Sequence, residues 1–93
     1  MDKHLIQLYV NGNSHTSLEA ISILTSICKE NLHGAYSLEI IDIQKDPDRA
    51  EEAGILAIPT LIRKWPQPET RLIGALTVRT RVLTGLGIYA PAG

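Results

Sequence analysis

The sequence predicts an α/β domain that opens with a strand, a helix and a second strand. The first observation is a nearly continuous apolar run, Leu5 to Val10, which the turn residues Asn11 and Gly12 follow at once, as is typical of a strand buried on both faces. Apolar residues then recur at three- and four-residue spacing, as on one face of a helix, and an alternating segment comes after them. A chain of 93 residues has room for a single domain, residues 1–93.

The first helix is expected to begin at Thr16-Ser17-Leu18-Glu19. This is a capping box, in which the Thr hydroxyl and the Glu carboxylate each accept a hydrogen bond from a free backbone N–H group. The apolar stripe that follows can end at Gly34 and consists of Leu18, Ile21, Leu24, Ile27, Cys28 and Leu32. Cys28 lies on this stripe, which favours its interpretation as a small buried residue.

A second strand is predicted at residues 36–43, where apolar and polar side chains alternate. Short loops on either side of the helix favour a right-handed crossover, with the two strands parallel. Asp46 and Pro47 then form a helix-start pair, an N-cap followed by a proline in the first turn. The short helix that they open is expected to end at Gly54.

The second half of the chain has weaker local signals. Pro59 interrupts the apolar segment 55–62 and cannot donate a ladder hydrogen bond. Residues 65–68 are turn material, and a strand-like segment follows them. The segment 77–86 fits one helical face with Thr77 as cap, but its β-branched residues also suit a strand, so both structures stay open there.

A strand, a loop, a capped helix and a later Ile-Pro-Thr segment before a hairpin outline a thioredoxin-like domain. Thiol chemistry in that fold needs a cysteine at the start of the first helix, where free N–H groups and the helix dipole stabilise a thiolate. This chain has Asn-Ser-His-Thr-Ser at that place, residues 13–17. The sequence therefore predicts no catalytic residue and no enzyme; a glutathione-dependent activity at Ser14 or Ser17 is the enzyme alternative.

Composition argues against several other classes of function. The one cysteine and three scattered histidines offer no zinc site, and no glycine-rich phosphate loop is present, so we expect neither a metal nor a cofactor. No apolar stretch could span a membrane and no secretory signal is visible, which indicates a cytoplasmic protein without a membrane partner. The net charge of −1 and the few aromatic residues disfavour nucleic-acid binding.

Charge is divided unevenly along the chain. Residues 1–54 carry four basic and nine acidic side chains, a net charge of −5, whereas residues 55–93 carry five basic and one acidic, a net charge of +4. Such polarity can steer a chain toward copies of itself or toward a partner with opposite patches. The alternative is that these acidic and basic side chains are ordinary solvated surface residues and that their separation along the chain serves no partner.

Two segments are candidates for protein contacts. An edge strand at residues 37–43 would offer backbone groups to a partner strand, and the adjoining segment 49–58 would offer a mixed charged and apolar face. Internal packing, or packing against another copy, is the alternative for both. A large ring in a Pro-rich turn is a further candidate anchor. The candidate partner-binding residues are Ser37, Glu39, Ile41, Arg49, Glu52, Ile55 and Trp65.

Several motifs extend over nearly the whole chain. They include Leu8-Tyr9-Val10-x-Gly12-Asn13, Gly34-x-Tyr36-x-Leu38-x-Ile40-Ile41-Asp42-Ile43, Ile55-Leu56-Ala57-x-Pro59-Thr60-Leu61 and Arg71-x-Ile73-Gly74-x-Leu76. Together these motifs resemble the KaiB family, which also includes the sensory domain of a clock-output histidine kinase. Because the likeness covers most of the chain, it is more specific than any single motif.

The resemblance implies regulation rather than catalysis. KaiB proteins bind the ATPase ring of KaiC, help to sequester KaiA, and thereby reset the phosphorylation state of a circadian oscillator. For this chain it implies a KaiC-like ATPase as partner, a KaiA-like protein or a histidine kinase as further partners, and self-association to dimers or tetramers. The alternatives are a divergent member that serves a stress response and the sensor domain of a histidine kinase.

The resemblance also implies two folds, a self-associating ground state and a monomeric thioredoxin-like state that binds the ring. Both share the N-terminal β-α-β unit and differ in the second half, in agreement with the ambiguous signals there. We expect the bond before Pro59 to be cis in the thioredoxin-like state. We also expect Gly85 and Gly87, beside the end of the last helix, to affect the balance between the two folds.

Overall fold

The computed structural model describes residues 3–12, 14–74 and 76–88. The chain folds into β1 (His4–Val10), α1 (His15–Asn31), β2 (Tyr36–Asp42), α2 (Pro47–Glu52), β3 (Thr60–Trp65), β4 (Thr70–Ile73) and α3 (Arg79–Gly85). The predicted α/β class and the N-terminal β-α-β unit are confirmed.

The four strands form one sheet in the order β2-β1-β3-β4. β1 and β2 are parallel, as the short loops around α1 predicted, and Leu8 lies opposite Ile40. β3 pairs antiparallel with β1, and β4 pairs antiparallel with β3. The strands at the two ends of this order are therefore β2 and β4, which agrees with the expectation that residues 37–43 form an edge strand.

The two faces of the sheet carry separate apolar clusters, because successive side chains of a strand point to opposite faces. On one face, Ile6, Leu8 and Val10 of β1 pack in a cluster that also includes buried residues of α1 and α3. On the other face, a smaller cluster forms around Tyr9, Ile41 and Ile62, and α2 and the loop after it cover this cluster. We call the second face the α2 face of the sheet.

The predicted capping box at the start of α1 is wrong. The helix begins at His15, and the side chain of Ser14 is the cap, accepting a hydrogen bond from the backbone N–H of Ser17 at 3.3 Å. Leu18 was assigned to the buried stripe, but it is 51% exposed. The buried side instead carries Ser17, Ala20, Leu24, Ile27 and Cys28.

The ambiguous segment 77–86 is helical from Arg79 onward. Thr77 is not its cap, because Val78 occupies the N-cap position and makes no side-chain capping hydrogen bond. Pro47 does occupy the first turn of α2, although the Asp46 side chain makes no capping hydrogen bond. The peptide bond before Pro59 is cis, as expected, and the bonds before two further prolines, Pro66 and Pro68, are cis as well.

Candidate functional site

The start of α1 is the place where a thioredoxin-like fold would carry a reactive thiol. Here the hydroxyl groups hold the junction between β1 and α1 together: Ser14 caps the helix, and the Ser17 hydroxyl accepts a hydrogen bond from the backbone N–H of Asn11 at 3.1 Å. Ser17 is completely buried, so it cannot contact a glutathione molecule. The neighbouring His15 is exposed and pairs with Glu19.

Cys28 lies in the apolar cluster between α1 and the sheet and is fully buried. Burial raises the pKa of its thiol to about 11, because a thiolate would lose its hydration in this environment. The thiol is therefore protonated at neutral pH, and the prediction of a small buried residue at this position is confirmed.

The edge strand β2 and helix α2 are tied together by an ion pair. Arg49 donates from its two terminal nitrogens to the carboxylate of Glu39, and the Gln7 amide lies 3.5 Å from the same carboxylate. The hydrogen bonds from Arg49 are the main cause that lowers the pKa of Glu39. This pair joins two segments that the sequence had offered as separate candidate surfaces.

The structure distributes the candidate partner-binding residues over exposed and buried positions. Ser37, Glu39 and Glu52 are exposed, and Ile55 packs partly against the smaller cluster. Ile41 is different, because it is only 2% exposed and belongs to that cluster's core. Its inclusion in an accessible surface is a correction: the side chain lies under α2, where a partner cannot contact it in this fold.

The loop between α2 and β3 presents an apolar side chain that the candidate set did not include. Leu56 is 97% exposed. The sequence contained a signal for it, since Leu56 follows Gly54 within the segment 49–58, which was expected to offer a mixed face. What the sequence could not distinguish is which of the apolar residues in this loop would turn inward.

Part of the α2 face is not covered by the short helix α2. A shallow cavity of about 310 Å³ lies beside it and is lined by Gln7, Tyr9, Arg49, Glu52, Ala53, Ile62, Lys64 and Arg71. Arg71, on β4, crosses this space and donates a hydrogen bond to the carbonyl of Ala53 at the end of α2. The helix is therefore held at one end by β2 and at the other by β4.

Trp65 stands at the end of β3, opposite Leu5 of β1. Both side chains are partly exposed, 39% for the tryptophan and 43% for the leucine. The preceding Lys64 forms a 2.8 Å ion pair with Glu69, which lowers the pKa of that carboxyl group. Trp65 thus lies at the surface, as an interface anchor requires, but at a distance along the sheet from the α2 loop.

The proposed fold-switch residues lie on both sides of β3. Pro59 is buried and immediately precedes β3. Gly85 is the last residue of α3, and a Cβ atom placed there would lie 3.4 Å from a methyl carbon of Leu72. Gly87 has a φ angle of +74°, and a Cβ atom placed there would lie 2.6 Å from the Nη1 atom of Arg63. Their effect on a second fold stays a prediction.

Within residues 3–12, 14–74 and 76–88, the side chains form no group of three or more His, Cys, Asp and Glu that could hold a metal ion. Over the same part of the chain, no helix is long and apolar enough to cross a membrane.

Solved structures with a similar fold include a SasA domain and a thioredoxin. The N-terminal domain of Synechococcus elongatus SasA superposes with a TM-score of 0.74 at 20% identity, covering 100% of this chain and 91% of that domain. Mitochondrial thioredoxin 3 from Saccharomyces cerevisiae gives a TM-score of 0.75 at 17% identity, covering 94% of this chain and 79% of the thioredoxin. At these identities the likeness shows the fold alone, and the predicted thioredoxin-like fold is confirmed.

Sequence relatives define the family more closely. The KaiB domain matches residues 7–88. The circadian clock protein KaiB3 of Synechocystis sp. is 43% identical over 88 residues, which cover 95% of this chain and 86% of the relative. A circadian clock oscillator protein KaiB of Prochlorococcus marinus is 44% identical over 85 residues, which cover 91% of this chain and 73% of the relative. The domain match over most of the sequence, together with relatives at this level of identity, shows that the chain belongs to the KaiB family.

Proposed function

We propose that this chain is a non-enzymatic regulatory protein that binds a KaiC-type ATPase and modulates its phosphorylation cycle. The proposal rests on membership of a family whose relatives are named circadian clock proteins. The observation that carries it is one exposed surface built from the β2 edge, α2 and the loop that follows. We call this the β2-α2 surface and define it by Ser37, Glu39, Arg49, Glu52, Ile55 and Leu56.

The β2-α2 surface has the composition of a protein interface. Leu56 is an apolar anchor that is almost fully exposed to water, and burying a leucine side chain contributes about 1.5–3 kcal/mol. Exposed charged residues come directly before the loop that carries it, among them Glu51 and Glu52 at the end of α2. An apolar centre with a polar rim is the arrangement in which a few anchor residues contribute most of the binding free energy.

The chemistry at the start of α1 supports a role without catalysis. Ser14 and Ser17 are engaged in hydrogen bonds that join β1 to α1, and Cys28 is buried and protonated. A thiol exchange reaction needs an accessible thiolate, and this cysteine supplies neither accessibility nor charge. These observations weigh against the glutathione-dependent alternative.

The experiment measures complex formation with a purified KaiC-type ATPase in the presence of ATP, by light scattering after size exclusion. We expect a stable complex, and we expect Leu56→Ala to weaken it by about tenfold or more, because a 1.4 kcal/mol loss corresponds to a factor of ten. Leu18→Ala is the matched control, since Leu18 is also an exposed leucine, 51% exposed, but lies on α1. A loss of binding that is equal in both variants, or no complex with the unmodified chain, would contradict the proposal.

The regulatory part is tested separately by following the phosphorylation of the ATPase over time. Addition of the chain should change the phosphorylated fraction, and Leu56→Ala should reduce this change in proportion to its weaker binding. A KaiA-like protein or a histidine kinase as additional partner remains a prediction. The higher identity to KaiB relatives, 43–44%, than to the SasA domain, 20%, favours the free-standing regulator over a kinase sensor domain.

A further inference from the structure

Asn11 and Gly12 follow β1 directly, and this is the one place in the sequence where a glycine comes after an asparagine. Asparagine is among the chemically labile residues of proteins. The backbone nitrogen of the next residue can attack its side-chain carbonyl carbon, and a glycine leaves that nitrogen unshielded because it has no Cβ atom. Asn11 is exposed to water. The turn after β1 therefore contains the groups for a spontaneous modification.

The reaction releases the side-chain nitrogen of Asn11 as ammonia. The Gly12 nitrogen loses its proton to a base in the solvent and forms a bond with Cγ of Asn11. The bond between Cγ and the side-chain nitrogen breaks, and the departing nitrogen takes up a proton. Water then opens the succinimide ring at either of its two carbonyl groups. The product is an aspartate or an isoaspartate, in which the main chain runs through Cγ, and only water is consumed.

The fold holds the attacking nitrogen through a side chain of β2. The N–H group of Gly12 donates to Oδ1 of Asp42 at 3.2 Å. The same oxygen accepts a hydrogen bond from the backbone N–H of Gln44 at 2.9 Å, which orients the carboxylate. A charged acceptor binds the amide proton more strongly than a neutral one, and its charge disfavours a second negative charge on the nitrogen. Gly12 is therefore a poor nucleophile while this hydrogen bond is present.

Two further hydrogen bonds fix the main chain of Asn11 itself. Its N–H group donates to the hydroxyl of the buried Ser17 at 3.1 Å, and its carbonyl accepts from the N–H of Ser14 at 3.1 Å. Ring closure joins the Asn11 side chain to the main chain and so constrains the segment that these bonds hold. Local opening of the junction between β1 and α1 would remove these restraints together.

We propose that Asn11 is a site of spontaneous conversion to aspartate and isoaspartate, and that the hydrogen bond between Gly12 and Asp42 restrains this conversion in the present fold. Conversion is then confined to the time during which the junction is open. The product carries a new negative charge one residue from the contact with Asp42, and isoaspartate also lengthens the main chain by one carbon. The modification therefore records the opening of this junction, whichever partner the chain binds.

Peptide mapping by tandem mass spectrometry measures the conversion on the purified full chain. The chain is incubated at mildly alkaline pH, folded in buffer or unfolded in urea. Fragment ions distinguish Asn11 from Asn13, and an isoaspartate methyltransferase labels the isoaspartyl product. We expect Asn11 to convert more slowly in the folded chain by about tenfold or more, because the amide proton is engaged there. Asn31, which the bulky Leu32 follows, is the internal control and should stay largely unmodified in both samples.

Variants of the acceptor test the role of the β2 carboxylate. Asp42→Ala should raise the conversion rate of Asn11 in the folded chain by about tenfold, because it removes the charged acceptor. Asp42→Asn retains an acceptor oxygen without the charge and should give an intermediate rate. Asp48→Ala is the matched control, since it removes an exposed aspartate of α2 with the same change of charge, and it should leave the rate unchanged.

Circular dichroism shows which variants are folded, and the milder Asp42→Asn keeps the comparison valid where the alanine variant is not. The proposal would be overturned by equal rates of Asn11 conversion in the folded and unfolded chains. It would be overturned as well if the folded Asp42 variants converted no faster than Asp48→Ala.

Discussion

The carboxylate of Glu39 on β2 accepts hydrogen bonds from both terminal nitrogens of Arg49 on α2. The pair fixes the start of α2 to the edge of the sheet, while Arg71 holds the end of the same helix from β4. The short helix therefore depends for its position on residues from three separate parts of the chain. The residues of the β2-α2 surface that lie on α2, Arg49 and Glu52, depend on these contacts for their position.

Removal of Arg49 is expected to raise the pKa of Glu39. The pKa of this carboxyl group is lowered chiefly by the hydrogen bonds from Arg49, so Arg49→Gln should move its titration to higher pH, toward the ordinary range of glutamate. A lowered pKa in the folded state stabilises the fold above the pKa of the unfolded chain, and this contribution is lost as the pH falls through the folded pKa. The unmodified protein should thus lose more stability in acid than Arg49→Gln.

Carboxyl carbon chemical shifts followed over a pH titration measure this effect. Lys64→Gln is the matched control: it should leave Glu39 unchanged and should instead raise the pKa of Glu69, which Lys64 lowers. An unchanged Glu39 titration in Arg49→Gln would show that the ion pair does not persist in solution.

Cys28 is expected to be inert toward thiol reagents while the protein is folded. The side chain is fully buried, and its thiol has a pKa of about 11. A reagent therefore cannot reach the sulfur, and the thiol is protonated rather than a reactive thiolate. A colorimetric disulfide reagent at pH 8 should react with the thiol only after denaturation. Because the folded pKa is raised above 9.0, stability should also decrease as the pH rises from about 9 toward 11. Rapid reaction in the absence of denaturant would contradict the buried position.

Gly87→Ala is expected to destabilise the fold by about 1–2 kcal/mol, the cost of a left-handed backbone for a residue with a Cβ atom. The φ angle at Gly87 is +74°, and the new Cβ atom would also displace the guanidinium of Arg63, 2.6 Å away. Gly85→Ala is the matched control. It has room for a Cβ atom beside Leu72 and should raise stability by about 0.5–1 kcal/mol, because alanine favours a helix more than glycine does.

Urea unfolding curves of the two glycine variants and the unmodified protein measure the change in the free energy of unfolding that each substitution causes. Opposite signs are expected for the two substitutions, although they are two positions apart. If both variants were destabilised equally, the end of α3 would not have the backbone conformation described above.

Ser17→Ala is expected to lower the free energy of unfolding by about 1–2 kcal/mol, because the substitution leaves the backbone N–H of Asn11 without its acceptor. Ser17 is buried and joins β1 to α1 through this bond. Thr16→Ala, at the neighbouring exposed position, should change stability little. Thermal unfolding compares the two variants. Equal midpoints for Ser17→Ala and the unmodified protein would show that the bond contributes nothing.

The N-terminal half could be predicted from the sequence because its signals are local. Apolar periods of two and of three to four residues indicate strand and helix directly, and short loops determine that β1 and β2 are parallel. The errors there were small shifts: α1 begins at His15, and Ser17 rather than Leu18 lies on the buried side. The cap was expected at Thr16 and lies two residues earlier, at Ser14.

The sequence alone determined the α/β class, the β-α-β unit, the buried character of Cys28 and the family. The tertiary structure decided which strand edges remain open, that Ile41 lies beneath α2 while Leu56 projects into water, and that Glu39 and Arg71 stand at opposite ends of the sheet. The physical reason is that the spacing of apolar residues indicates only which face of its own helix or strand a residue lies on. The pairing of distant strands and the position of α2 depend on the packing of the whole chain, which no local pattern encodes.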